Sequence, residues 1–306
     1  MNNFSIALHG GAGTILRAAM SSEKEREYTS ALKAALDAGF NVLKDGGTAI
    51  DAVLASTISL EDCPLFNAGK GSVFTHDGKH EMDASIMDGS TLAAGAVACL
   101  RNVRNPVLLA KEIMVHSDHV MLLGEGAEEF ARIRKMKFEP DEYFYTDFRH
   151  KQLLDIVNEE RTQLDHSDKK FGTVGAVACD RNGNLAAATS TGGMTNKRYN
   201  RIGDSPVIGS GTYANNRTCA ISCTGHGEFF LRAVVAYDIS CLMEYKGLTL
   251  EKACELVVNK KLVDLGGEGG LVAVDSQGTT SLVFNSEGMY RASKSSAGIE
   301  TVLIYR

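Results

Sequence analysis

Apolar spacing divides the 306-residue chain into helical and extended stretches. Residues 5–8 read as a short buried strand that runs into the glycine turn His9-Gly10-Gly11-Ala12-Gly13. From Glu23 to Lys44, the residues Tyr28, Leu32, Ala35, Gly39, Val42 and Leu43 recur near one helical face, and Gly46-Gly47 ends that helix. Thr48 with Asp51 resembles a capping box, with Asp in the usual Glu position, and opens a second helix through about Leu60. Residues 72–75, the Asp77-Gly78 turn and residues 80–87 predict a hairpin, with 92–100 as a third strand. Helices are expected after Pro106 and Gly126. A second hairpin is predicted from 173–179, a turn at 180–184 and 185–190, followed by a strand at 217–224. Helices at 227–245 and 249–261 and strands near 271–275, 280–285 and 301–305 complete the chain. Strands with paired helices on both sides of residue 172 predict an α+β fold of two stacked sheets covered by helices.

Composition narrows the function classes. A formal net charge of −6 supplies no field that would gather a polyanion, so nucleic acid is not expected as a partner. Charged residues interrupt every apolar stretch well before the ~20 residues of a bilayer span, so no membrane segment is expected. The first residues lack the features of a secretory leader, and a cytoplasmic location is expected. Seven cysteines without a C-x-x-C pair point to reduced core thiols rather than to a disulfide framework or a zinc knuckle. Residues 132–170 are dense in charge, and about 155–172 reads as a solvated, mobile connector.

Several familiar motifs fail. Ala68-Gly69-Lys70-Gly71-Ser72 lacks the upstream glycine of a phosphate loop, and neither G-x-G-x-x-G nor G-x-S-x-G occurs. His76 and His80 are separated by the Asp77-Gly78 turn and read as part of a polar hairpin. His116 and His119 have no third ligand nearby.

The junction Phe171-Gly172-Thr173-Val174-Gly175 is sharper. Taken alone, Thr173 is a β-branched residue that opens a strand after a flexible loop. A threonine also becomes a nucleophile when its own α-amine, of pKa ~7.7–8.0, serves as the base. That chemistry needs a free amine at Thr173. Attack of the Thr173 hydroxyl on the Gly172 carbonyl would create one, by way of an ester that water hydrolyses.

These residues sit among further motifs: His9-Gly10-Gly11-Ala12-Gly13, Leu65-Phe66-Asn67-Ala68-Gly69, Met82-Asp83-Ala84, Thr189-Ser190-Thr191-Gly192-Gly193, Arg201-Ile202-Gly203-Asp204-Ser205-Pro206, Tyr213-Ala214-Asn215-Asn216 and Gly266-Gly267-Glu268-Gly269-Gly270. In their number and order the chain resembles, over nearly its whole length, the plant-type asparaginase and isoaspartyl peptidase family of N-terminal nucleophile hydrolases. The resemblance implies a four-layer αββα sandwich in one globular domain. It implies cleavage after Gly172 into an α subunit, 1–172, and a β subunit, 173–306, that begins with the nucleophile Thr173. Thr191 would hydrogen-bond that nucleophile, and Thr224 and Gly225 would donate to the oxyanion. Arg201 and Asp204 would bind the carboxylate and ammonium of the substrate, with Gly227 adding a backbone contact and Asn67 meeting the site from the other side. Arg201 and Asp204 also read, on their own, as a surface ion pair.

The same resemblance implies no catalytic cofactor. It implies a structural sodium ion held by the main-chain carbonyls of Leu60, Glu61, Cys63, Phe66, Ala68 and Lys70, oxygens of the hard type such an ion takes. His9 is expected to be structural, shaping the glycine turn, and His226 and Glu268 are assigned no role. The implied substrates are L-asparagine and isoaspartyl dipeptides, which present a free α-carboxylate and α-ammonium beside a scissile β-amide. The implied assembly is a dimer of αβ heterodimers. The alternatives are a glycosylasparaginase-like amidase and an uncut binding protein without catalysis.

Overall fold

The computed structural model describes residues 3–162 and 172–306. Among them, strands β1 (Ser5–Gly13), β2 (Met82–Asp88), β3 (Ala94–Leu100), β4 (Met121–Leu123), β5 (Val174–Cys179), β6 (Leu185–Thr191), β7 (Thr212–Ala214), β8 (Cys219–Gly225), β9 (Gly269–Asp275), β10 (Thr280–Phe284), β11 (Gly288–Ser295) and β12 (Glu300–Tyr305) form two sheets. The helices are α1 (Ser22–Lys44), α2 (Ala49–Glu61), α3 (Pro106–His116), α4 (Gly124–Ile133), α5 (Asp141–Phe144), α6 (Asp147–Thr162), α7 (Gly227–Ala233), α8 (Val235–Lys246) and α9 (Leu250–Leu256). The larger sheet runs β12-β11-β1-β5-β6-β2-β3-β4 and the smaller β10-β9-β8-β7. The fold is thus mixed α+β, with two sheets and helices.

Local chemistry sets the helix starts. The Ser21 hydroxyl accepts from the Lys24 N–H at the head of α1, and Thr48 accepts from the Asp51 N–H at the head of α2. Pro106 opens α3 with the fixed φ that a first turn needs. Alternation along the strands then divides the core. Ile6 and Leu8 of β1 and Ala176 and Ala178 of β5 face Leu32, Leu36 and Val53 of α1 and α2. Ala7 and Val177, on the opposite face, meet Ile221 and Val272 of the smaller sheet. Both faces of β1, β5 and β6 are therefore buried, which is why their sequences are almost continuously apolar.

Several elements depart from expectation. β1 does not stop at Leu8. It continues through the glycines to Gly13 with a bulge between His9 and Gly11, because β11 pairs with it along this stretch. The Asp77-Gly78 turn forms, with the Gly78 N–H donating to Thr75 O and the Thr75 N–H to Lys79 O, but 72–75 and 80–87 do not pair as a hairpin; the His76 N–H donates to Lys197 O and the Asn196 N–H to Phe74 O. Met82–Asp88 pairs with β3 and β6 instead. The helix expected over 227–245 breaks at Val234, which has φ +49°. Strands β4, β7 and β11 were not anticipated. Of the connector expected at about 155–172, residues 155–162 belong to α6 and 163–171, including Phe171, lie outside the described residues.

Candidate active site

Thr173 precedes β5, and the β5–β6 register sets Val174 opposite Ser190, so Thr173 faces Thr191 at the end of β6. The two hydroxyls lie 3.1 Å apart, with Thr173 Oγ1 donating to Thr191 Oγ1. Thr191 in turn donates to the Gly172 carbonyl at 3.0 Å and accepts from the Gly193 N–H at 2.9 Å. Asn67 approaches the same carbonyl from the 60–70 loop. Its Nδ2 donates to Gly172 O and Gly193 O, both at 2.7 Å, while its Oδ1 accepts from the Val73 N–H. Every polar atom of that amide is spent, so its orientation is fixed by the network. The Gly172–Thr173 carbonyl consequently carries two donors in the uncut chain.

His9 does more than shape its turn. It is fully buried, and burial pushes it down to about 3, leaving it neutral. Its Nδ1 lies 2.9 Å from the Thr173 carbonyl, which can only accept, so Nδ1 carries the proton and Nε2 accepts from the Ser222 hydroxyl at 2.9 Å. Thr189 extends this buried chain to Ser222 at 2.7 Å, and Thr212 extends it to Thr189. The Thr173 backbone is thereby tied to β6, β7 and β8 together.

The end of β8 brings in Thr224 and Gly225, which face Gly270 and Gly269 of β9. The Ala12 N–H donates to Thr224 Oγ1 at 3.2 Å, leaving the hydroxyl proton for another acceptor. Gly225 has φ +146°, and a Cβ there would stand 2.4 Å from Glu268 O, so only glycine fits. That Glu268 carbonyl accepts from the His226 N–H, which gives both residues a backbone role at the turn into α7.

Gly172, Thr173, Thr191, Arg201, Asp204, Gly225 and Gly227 line one recess. Asn67 and Thr224 do not line it, and bear on it through Gly172 and Gly225. In the uncut chain its free volume is about 10 Å³, the space of one water. Asp204 is buried, its Oδ2 has no hydrogen-bond partner among the described residues, and burial pushes its carboxyl up to about 7. A buried acid without a partner is a group prepared for a cation.

Arg201 does not close an ion pair with Asp204 by hydrogen bonding. Its Nε and Nη2 donate to the two carboxylate oxygens of Glu228, each at 2.8 Å. Although partial burial opposes it, the guanidinium holds Glu228 below the usual carboxylate range. Glu228 occupies one edge of the guanidinium and does not line the recess. The other edge, Nη1 and Nη2, lies beside Gly203 and Gly227, where an added Cβ would come within 2.9 Å of a guanidinium nitrogen. The arrangement presents a fork suited to a carboxylate. Sequence reading gave Glu228 no role. Its signal was its place directly after Gly227, in the first turn of a helix that adjoins the recess.

The asparaginase family matches residues 2–304. The isoaspartyl peptidase of Escherichia coli is 54% identical over 312 residues, covering 100% of this chain and 97% of its own. The probable isoaspartyl peptidase/L-asparaginase 2 of Arabidopsis thaliana is 39% identical over 330 residues, covering both chains in full. The isoaspartyl peptidase/L-asparaginase of Homo sapiens is 41% identical over 278 residues, covering 91% of this chain and 88% of its own. With Gly172, Thr173 and Thr191 gathered beside Arg201 and Asp204, and a match that spans almost the whole chain, the protein belongs to the plant-type asparaginase and isoaspartyl peptidase family.

Proposed function

We propose that the protein is an autoprocessing amidohydrolase that cleaves isoaspartyl dipeptides and the side-chain amide of L-asparagine. The observation that carries this reading is the Gly172 carbonyl held by Asn67 and Thr191 beside the Thr173 hydroxyl, at the mouth of the Arg201 and Asp204 recess. In self-cleavage, Thr173 Oγ1 adds to the Gly172 carbonyl carbon. The C–N bond breaks as the nitrogen takes the hydroxyl proton, which frees the Thr173 amine, and water hydrolyses the resulting ester to a Gly172 carboxylate and the Thr173 hydroxyl. In turnover, that amine takes the proton of the same hydroxyl as it attacks the substrate's β-carbonyl. Thr224 Oγ1 and the Gly225 N–H stabilise the oxyanion. The Thr173 ammonium so formed then protonates the leaving nitrogen, and water releases aspartate from the β-aspartyl ester. Arg201 takes the α-carboxylate and Asp204 the α-ammonium, so the free β-linked head group is recognised as a whole, with Gly227 adding its backbone.

Two supporting parts belong to this reading. The Glu61, Cys63 and Lys70 carbonyls accept no hydrogen bond among the described residues. With those of Leu60, Phe66 and Ala68 they would suit a sodium ion that stiffens the loop carrying Asn67. The sheets and helices make a four-layer αββα sandwich in this reading, and two cut αβ units pair into a dimer. Seven unpaired thiols favour a cytoplasmic site of action, and no helix of the described residues is long and apolar enough to cross a membrane.

Denaturing electrophoresis with N-terminal sequencing tests the proposal. Wild type should yield two fragments, the second beginning at Thr173, and should hydrolyse L-asparagine. Thr173→Ala should remain whole and inactive. An intact chain with full activity would overturn it.

A further inference from the structure

Arg149 is a buried cation that the reaction above leaves unused. It is the third residue of α6, where the helix dipole presents its positive end. It is 9% exposed, and burial pushes its guanidinium down to about 10, so it is still charged at neutral pH. No carboxylate among the described residues pairs with it. Burial, the dipole and the lack of a counter-charge all oppose a guanidinium at this place. The groups it does bind therefore matter.

Two of them are backbone carbonyls of one loop. Nε donates to Gly71 O at 2.9 Å and Nη2 to Leu65 O at 3.4 Å, while Nη1 donates to Gln152 Oε1 at 2.9 Å. Leu65 and Gly71 form the neck of the loop that carries Asn67. The two sides of the neck are in close contact, since a Cβ on Gly71 would stand 2.1 Å from Phe66 O and 2.6 Å from Pro64 O. The guanidinium fork thus joins the entry of the loop to its exit, with Asn67 between them. Asn67 Nδ2 donates at 2.7 Å to the Gly172 carbonyl, the group attacked in self-cleavage, and Asn67 Oδ1 accepts from the Val73 N–H just beyond the neck. Where the neck stands therefore decides where this amide points.

We propose that Arg149 is a positioning residue for self-cleavage. By clamping the neck of the 65–71 loop it holds the Asn67 amide against the Gly172 carbonyl, whose oxygen gains negative charge as Thr173 Oγ1 adds to the carbon. This role rests on the self-cleavage reading above. Without the guanidinium the Leu65 and Gly71 carbonyls lose a donor and the neck is free to open. A displacement of about 1 Å at a reacting centre is enough to slow a reaction by about a hundredfold. Turnover differs, because in the cut enzyme the oxyanion forms on the substrate and faces Thr224 and Gly225. Arg149 then matters far less.

The test follows loss of the intact chain by denaturing electrophoresis after cell-free synthesis, and then assays the cut fraction on L-asparagine. Asn67→Ala should slow cutting by about a hundredfold, the usual effect of deleting one oxyanion donor. Arg149→Ala should slow it by about tenfold or more, and Arg149→Lys, which keeps the charge without the fork, by less. The double variant Asn67→Ala, Arg149→Ala should cut no more slowly than Asn67→Ala alone, because the two residues act through one contact. In the cut fraction of Arg149→Ala, kcat should fall by less than about threefold. Cutting of Arg149→Ala at the wild-type rate, additive slowing in the double variant, or equal loss of cutting and turnover would overturn the role of Arg149 and leave self-cleavage standing. If Arg149→Ala does not fold, Arg149→Lys with and without Asn67→Ala makes the same comparison. A wild-type chain that never cuts would overturn the self-cleavage reading and this role together.

Discussion

Asp204 offers its carboxylate to the recess with one oxygen unpartnered, and the price of that readiness is a carboxyl raised by burial to about 7. Only the ionised form would pair with a substrate ammonium in the role proposed for it. As pH falls through 7 the group takes a proton, so KM for L-asparagine should rise, reaching about tenfold above its plateau near one unit below that value. Initial rates across pH 5.5 to 8.5 check this, with kcat separated from KM so that titration of the Thr173 amine is not confused with it. Asp204→Asn should show a high KM that no longer depends on pH in this window. Glu228 acts through Arg201 and is a positioning residue. Its two hydrogen bonds hold the guanidinium so that the Nη1 and Nη2 edge is left over. Glu228→Ala should raise KM by about tenfold, and kcat by contrast should fall much less, because the lost interaction orients the ground state and transition state alike. Glu228→Gln, which keeps one acceptor for the Arg201 fork, should recover part of the loss. Equal loss of kcat and of kcat/KM in Glu228→Ala would argue instead for a role in the chemical step.

Elements were most legible where one physical cause acted alone. The apolar stripe of α1 with its stop at Gly46-Gly47, the Thr48 cap of α2 and the Asp180-to-Asn184 turn between β5 and β6 depend on local chemistry, and the chain adopts them as read. Of the candidate site residues that the family resemblance implied, Gly172, Thr173, Thr191, Arg201, Asp204, Gly225 and Gly227 line one recess, because several of them sit in short motifs at or beside strand ends. What escaped reading depends on partners distant in sequence. β11 is largely buried although its sequence, Gly288-Met-Tyr-Arg-Ala-Ser-Lys-Ser, is mostly polar, because β1 and β12 take its backbone from either side. The Glu228–Arg201 fork and the His9–Thr173 tie likewise join segments 27 and 164 residues apart. The break between α7 and α8 is another tertiary imposition. Val234, a β-branched residue, sits at φ +49°, ψ +49°, half exposed. Left-handed backbone costs such a residue about 1–2 kcal/mol, and a glycine's greater chain entropy offsets about 0.5–1 kcal/mol of any relief. Val234→Gly should therefore stabilise the protein by about 0.5–1 kcal/mol, read as a higher denaturant midpoint with an unchanged m-value. A lower midpoint would mean that the Val234 side chain contributes more by packing than its backbone costs.

Cutting after Gly172 would leave two chains that are interleaved rather than adjoined. In the larger sheet, β1 from the first piece lies between β11 and β5 from the second, and β6 from the second pairs with β2 from the first. Separating the pieces would tear three strand pairings and expose Ile6, Leu8, Ala176 and Ala178 to water. The second piece keeps the smaller sheet whole, but neither keeps the larger one, on which that sheet packs, so the cut protein should unfold as one unit and its fragments should co-elute under native conditions. Unfolding then yields two molecules where the uncut chain yields one, and mass action makes the cut protein's midpoint depend on concentration. For a protein of this length, unfolding entropy of about 2.1 cal/mol/K per residue gives a shift of roughly 2 °C for each tenfold dilution. Calorimetry of cut wild type beside uncut Thr173→Ala, over a hundredfold range of concentration, isolates this effect, since any dimer contact contributes to both. The cut protein should lose about 4 °C more than the uncut variant across that range. Equal slopes would mean that the two pieces stay associated after their sheets have melted, and that the interleaving of β1 and β2 is not what holds the molecule together.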